Sequence, residues 1–233
     1  MRLRHPHNSN LTLTYDSNWR GLPVLTSHGP LIREYLDAIL GVMSRSLEDH
    51  PRTFGLRFDL HFPEGWPYPE GQAISQFNEA LKSRIEADLR RRQRRRKDGR
   101  ELRCRIRFVW VKEQYQSNSP HYHLFVFLNR DAYFSLGRFH GREHPSWEDM
   151  PEEPSRTNMA ERIHAAWASA LGLPPAMVRG LVHFPLNCCY WLDVNAPGFE
   201  GRFKEAFFRA SYFAKVDTKQ YGDGSNKFGC SRG

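Results

Sequence analysis

The stretch His121-Tyr122-His123-Leu124-Phe125-Val126-Phe127-Leu128 decides how this chain is read. Its aromatic and branched residues favour an extended strand. Residues two apart on a strand face the same side, so the imidazoles of His121 and His123 converge on one point. Two neutral imidazoles on a rigid strand supply half of a divalent-metal site. The pattern by itself is short: with 11 histidines, an H-x-H arises by chance in roughly one of two such chains. His5-Pro6-His7 is a second match, in a loop-like setting that suits a site poorly. The plain alternative is that His121 and His123 are polar residues at the start of a strand.

Working outward, Leu102 to Val111 reads as the preceding strand, and the short turn Tyr115–Pro120 favours a hairpin-like antiparallel connection. Pairing across that turn would bring Glu113 beside the histidines, a ligand set that leaves coordination positions open for a phosphate oxygen. An exposed strand-end charge is the other reading of Glu113. Upstream, Phe54 to Phe62 alternates strictly, as a half-buried strand does. Phe54, Leu56, Phe58, Leu60 and Phe62 share one face; Arg57, Asp59 and His61 share the other. Asp59 or His61 could serve metal or DNA binding, and a solvated sheet face accounts for them equally well.

Helices are predicted around these strands. One begins near Ser27 or His28 with Pro30 in its first turn, followed by Leu31, Tyr35, Ile39 and Met43 at helical spacing. A second carries the stripe Ile74, Phe77, Leu81, Ile85 and Leu89. A third starts on the capping-box pattern Asn158-x-x-Glu161 and stops at Gly172 and Pro174. Short strands are expected over Gly180–Phe184 and Cys189–Val194, a surface loop over residues 137–156, and a last helix over Gly201 to Val216. Strands joined by short turns, with helices inserted between groups, predict an α+β fold with a mostly antiparallel sheet.

The formal net charge of +8 favours a polyanionic partner, because basic side chains near phosphates displace condensed counterions. The run Arg90-Arg91-Arg92-Gln93-Arg94-Arg95-Arg96-Lys97 could track phosphates, or could be a solvated helix end favoured by the macrodipole. No apolar run reaches the roughly 20 residues of a membrane span, and the N-terminus lacks a signal-peptide pattern. Cys104, Cys188, Cys189 and Cys230 show no CxxC spacing, which argues against structural zinc and for reduced thiols. The expected location is the cytoplasm.

Tyr212-Phe213-Ala214-Lys215 is the only Y-x-x-K in the chain. At about 100° per residue Tyr212 lies opposite the apolar stripe of its helix, and Lys215 is a neighbour. A phenol is a poor nucleophile until its anion is stabilised, which a neighbouring ammonium favours. A surface tyrosine beside a surface lysine is the bland reading.

The order of these features resembles the single-tyrosine HUH endonucleases. Glu113, His121-Tyr122-His123-Leu124-Phe125, Ser211-Tyr212-Phe213-Ala214-Lys215 and the ending Lys227-Phe228-Gly229-Cys230-Ser231-Arg232 look most like the inovirus-type replication proteins, a group that includes the YagK/YfjJ-type proteins of prophages and phage satellites. The resemblance covers roughly residues 50–233. It implies a central five-stranded antiparallel sheet with flanking helices, a Mg²⁺ or Mn²⁺ ion on His121, His123 and Glu113, and single-stranded DNA at a replication origin. It further implies that Tyr212 attacks a backbone phosphate, leaving a 5′-phosphotyrosine and a 3′ hydroxyl, with Lys215 offsetting charge. Arg57 and the basic residues of Arg90–Lys97 would bind DNA. On this reading residues 1–49 form an N-terminal extension with one helix, 50–222 the nicking domain and 223–233 a polar tail. No G-x-x-x-x-G-K-[ST] phosphate loop occurs, so a host helicase is expected beside the polymerase that extends the nick. The alternatives are a transposase or mobilisation relaxase of the same chemistry, or a non-catalytic DNA-binding regulator.

Overall fold

A computed structural model describes residues 3–66, 70–114, 120–137, 158–217, 219 and 225–232. Tyr115–Ser119 of the turn expected before His121, nearly all of the loop expected over 137–156, and Tyr221 lie outside these residues.

The strands and helices run in the order β1 (Arg4–His5), β2 (Asn8–Thr14), β3 (Asn18–Trp19), β4 (Leu22–Pro23), β5 (Leu31–Ile32), α1 (Arg33–Asp49), β6 (Arg52–His61), α2 (Glu70–Arg95), β7 (Arg107–Glu113), β8 (His121–Asn129), α3 (Met159–Leu171), β9 (Val182–His183), β10 (Cys189–Asp193), α4 (Phe199–Ser211) and β11 (Phe228–Cys230). The fold is α+β. In the main sheet the lanes run β10-β6-β8-β7-β11, and β9 also pairs with β6. Every pairing in it is antiparallel.

Among the described residues the main sheet therefore has six strands, not the five expected. The strand not expected is β11, which pairs with β7; the two short strands expected over Gly180–Phe184 and Cys189–Val194 form as β9 and β10 and share one edge of β6. β10 covers β6 from Arg52 to Leu56, and β9 covers Asp59 and Leu60. Between them Asn187 takes a left-handed φ of 56°, and the Cys188 carbonyl accepts the Arg57 amide at 2.8 Å. The edge thus stays hydrogen-bonded across the break.

Helices cover both sheet faces. Phe54, Leu56, Phe58 and Leu60 of β6 join Tyr122, Leu124, Val126 and Leu128 of β8 in a core with α2 and α3. The stripe Ile74, Phe77, Leu81, Ile85 and Leu89 is buried there as predicted. Burying each such large apolar side chain stabilises the fold by about 1.5–3 kcal/mol. On the other face Val109, Val111, Phe125 and Phe127 pack against α1 and α4. Consequently β6 is buried on both faces along nearly its whole length, and the half-solvated strand expected from its alternation is corrected. Its second face carries Arg57, Asp59 and His61.

Local rules explain most boundaries. Asn158 Oδ1 accepts the Glu161 amide at 2.9 Å, and Gly172 closes α3 with φ 64°. α1 begins at Arg33, later than expected, because Leu31 and Ile32 are drawn into extended pairing with Thr14 and Leu13. α4 ends at Ser211 and gives way to a tighter 3-10 turn, Tyr212–Ala214, since Lys215 bridges Leu31 and Val216 N–H donates to Pro30 O. β7 starts at Arg107, whereas the expected strand began at Leu102; the Leu102 amide instead donates to Gln93 Oε1 at the end of α2. The residues read as a polar tail include β11, which pairs with β7. Gly229 is required there: a Cβ would come within 2.4 Å of the Trp110 ring.

Candidate metal and tyrosine site

Sheet register assembles the site. Glu113 lies directly opposite His121 across the β7–β8 pair, and His123 lies opposite Asp59 across β8–β6. One ligand atom from each of Glu113, His121 and His123 falls within 4.8 Å of the others. This is the set that the sequence proposed. His121 Nε2 and His123 Nε2 stand 3.2 Å apart, and His123 Nε2 is 3.3 Å from Glu113 Oε2.

A second layer orients this set. Asp59 Oδ1 is 2.6 Å from His123 Nδ1, its Oδ2 is 3.2 Å from His183 Nδ1, and Arg57 Nη2 is 3.2 Å from Oδ1. The His61 ring stacks on His121 at 5.2 Å. Asp59 and His61 therefore belong to the site as partners of the imidazoles. Arg57 does not have the exposed, DNA-facing position expected of it: only 5 % of its surface is accessible, and its charge is turned onto Asp59.

Charge and burial then set the protonation states. Burial opposes ionisation of Glu113, but His123 and the ammonium groups of Lys219 and Lys215 outweigh it and hold the carboxyl down to about 2. Burial also opposes charge on Asp59, yet His123, His183 and Arg57 keep it ionised far below the ordinary range. His121 is pushed down to about 4 by burial and by the neighbouring His123 and His61, so its ring is neutral at pH 7. His123 is buried too, but its bonds to Asp59 and Glu113 raise its pKa.

The donor set suits a divalent cation. Two imidazole nitrogens face each other at 3.2 Å, a distance at which at most one proton fits between them. Glu113 Oε1 is buried and accepts no hydrogen bond, so the carboxylate has coordination capacity left.

Tyr212 and Lys215 arrive from the other side of the fold. Lys215, 4 % exposed, places Nζ 2.9 Å from Glu113 Oε2 and donates to Tyr212 Oη. The Tyr212 ring meets the His123 ring edge-on at 5.5 Å. The surface pair of the bland reading is not what forms: Tyr212 is half-buried and Lys215 is buried.

Three further residues here were not proposed for the site from the sequence, where His28 reads only as a possible helix start. His183 sits in a predicted strand with no other signal. Lys219, buried with Nζ 3.9 Å from Glu113 Oε1, is drawn down to about 7 by burial and by Lys215, against the pull of Glu113. His28 meets the Tyr212 ring edge-on at 5.4 Å.

The arginine run is elsewhere. α2 has 26 residues, so it is about 39 Å long. It leaves the end of β6 that bears His61 and carries the run to the far end of the opposite sheet face, where Arg92 Nη1 donates to Ala132 O. Arg91 and Arg92 pair with Asp88, and Arg96 with Asp98. Among the described residues Arg90, Arg94, Arg95 and Lys97 are the exposed members of the run without such partners.

An antiparallel sheet between two helix layers, with a carboxylate–imidazole cluster backed by a tyrosine–lysine turn, defines an α+β protein with a candidate divalent-cation site. The chain belongs to the YagK/YfjJ C-terminal domain family, whose model matches residues 14–231. That match reaches well upstream of residue 50 and takes in α1. The uncharacterized protein YagK of Escherichia coli (strain K12) is 34% identical over 215 residues, covering 88% of this chain and 96% of that relative. The uncharacterized protein YfjJ of the same strain is 34% identical over 230 residues, covering 95% of this chain and 100% of that relative. No solved structure matches. Among the described residues no helix is long and apolar enough to cross a membrane.

Proposed function

We propose that this protein is a replication initiator of the single-tyrosine HUH endonuclease type, nicking single-stranded DNA at an origin by tyrosine transesterification. The observation that carries the reading is Lys215, whose Nζ joins Glu113 of the cation cluster to the hydroxyl of Tyr212, a residue 99 positions later in the chain. A packing role for Tyr212 does not require that link.

Glu113, His121 and His123 would hold Mg²⁺ or Mn²⁺, which when bound supplies Lewis-acid polarisation of a phosphate oxygen. Asp59 holds His123 by Nδ1, fixing the direction of Nε2. Tyr212 Oη attacks phosphorus, keeps the 5′ end as a phosphotyrosine and releases a 3′ hydroxyl for a host polymerase. Lys215 places positive charge where the phenolic oxygen gains negative charge. The covalent link retains the phosphodiester energy, so the same site can rejoin ends. Unwinding is left to a host helicase. The net charge of +8 supports a nucleic-acid partner.

Incubation of the protein with labelled single-stranded origin-region DNA and Mn²⁺ tests this. A denaturation-resistant adduct and a free 3′ hydroxyl support the reading. Intact DNA under all metal conditions removes it.

A further inference from the structure

We propose that His28 is a further catalytic residue, the acceptor of the Tyr212 phenolic proton; this rests on the nicking reading above. In the attack the Tyr212 Oη–H bond breaks, so a nearby group must take the proton. Among the described residues that meet the Tyr212 side chain, one is left to accept it. Lys215 Nζ donates to Oη and is paired with Glu113, so it is a donor there. Arg57 is a cation directed at Asp59. His123 has both nitrogens engaged, Nδ1 with Asp59 and Nε2 with His121 and Glu113. His28 is exposed, its ring lies edge-on to Tyr212 at 5.4 Å, and among the described residues neither of its nitrogens has a hydrogen-bond partner.

The fold holds His28 there deliberately. Leu25 N–H donates to Ser211 Oγ at 2.9 Å on one side of it, and Val216 N–H donates to Pro30 O at 3.1 Å on the other. Leu31 forms a β-bridge with Lys215. Gly29, at φ 85°, completes a turn in which its amide donates to Thr26 O. The lead-in segment is thereby clamped to both ends of the tyrosine turn, with His28 at its tip. The 5.4 Å between the ring centroids puts the imidazole within side-chain reach of the phenol, and imidazole is the side chain suited to proton transfer near neutral pH.

The phenolic proton passes to a ring nitrogen of His28 as the Oη–P bond forms and the P–O3′ bond breaks. The 3′ oxygen departs on the opposite side of phosphorus and takes a proton from water to leave as a hydroxyl, while the imidazolium gives its proton to solvent.

The test is single-turnover adduct formation on a labelled single-stranded origin-region oligonucleotide with Mn²⁺, using wild type, His28→Ala, His28→Gln and Tyr212→Phe. Both His28 variants are expected to form adduct about 10²–10⁴-fold more slowly, with DNA affinity unchanged. Added imidazole should restore part of the rate in His28→Ala and none in Tyr212→Phe. A wild-type rate in His28→Ala overturns the proposal, and so does a slowed rate that imidazole does not recover, which would assign His28 to packing. Absence of adduct from wild type would instead remove the nicking reading and His28's role with it.

Discussion

His123 Nδ1 and Asp59 Oδ1 lie 2.6 Å apart, on residues that face each other directly across the β8–β6 ladder. The carboxylate is fixed by the same register that fixes the imidazole, so the direction of His123 Nε2 is built into the sheet. Asp59→Asn should therefore lower Mn²⁺ affinity by about 10–100-fold, the usual effect of losing a partner behind a metal-bound histidine. Titration calorimetry measures this. Equal affinity in the variant would mean that Asp59 does not orient a ligand.

Lys215→Met should separate two roles. Cleavage should slow by about 10²–10³-fold, as on loss of a donor to the reacting oxygen. Stability should fall toward the low end of the roughly 3–5 kcal/mol expected for breaking a buried pair, because His123 and Lys219 still face Glu113. Denaturant unfolding and single-turnover kinetics on the same preparation check both. Undiminished cleavage would confine Lys215 to structure.

Asp88 gives an acid limb to stability that is separate from the site. Its buried carboxylate lies 3.1 Å from Arg162 and accepts the Tyr133 hydroxyl at 2.9 Å. Burial opposes its ionisation, but Arg162, Tyr133, Arg91 and Arg92 prevail and its pKa is lowered. A lowered folded pKa gives stability that is present above the unfolded value, about 3.9, and is lost as pH falls through the folded value. Asp88→Asn should be less stable at pH 7 and should lose less stability than wild type between pH 5 and pH 3. Parallel acid limbs in the two proteins would contradict this.

Replacing Arg90, Arg94, Arg95 and Lys97 with Gln should weaken binding to long DNA and flatten its salt dependence. The position of the run, about 39 Å of helix away from the His61 end of β6, predicts that cleavage of a short oligonucleotide stays unchanged. An unaltered slope of log affinity against log salt would return the run to a solvated helix end.

Much of this site was legible in the sequence because strands repeat every two residues. That period put His121 with His123 and Arg57 with Asp59 and His61. The hairpin turn was enough to bring Glu113 alongside, and the helical spacing of three joined Tyr212 to Lys215 even though the last turn is 3-10. The period says which residues share a face but not what covers it. It therefore left Arg57 looking exposed, when it is buried and turned onto Asp59. The break in the edge lane before Cys189 was expected, but the strand read over Gly180–Phe184 shrinks to Val182–His183, because Gly180 and Leu181 are taken into a 3-10 turn. His28 had no pattern to betray it; a loop residue 184 positions before Tyr212 reaches it only through tertiary hydrogen bonds. The tail was dismissed as polar because three residues, Phe228 to Cys230, are too few to show a period.

The most direct test of the central claim is peptide mapping of the protein–DNA adduct formed with Mn²⁺ by wild type and by Tyr212→Phe. The substitution removes only the phenolic oxygen, so the ring's contacts with His123 and His28 remain and DNA affinity should hold. Wild type is predicted to carry the DNA 5′ end on the peptide containing Tyr212, and Tyr212→Phe to yield no adduct. An adduct on Tyr221 would keep tyrosine chemistry and displace Tyr212 as nucleophile. Adduct formation by Tyr212→Phe with no tyrosine labelled would contradict the tyrosine mechanism itself.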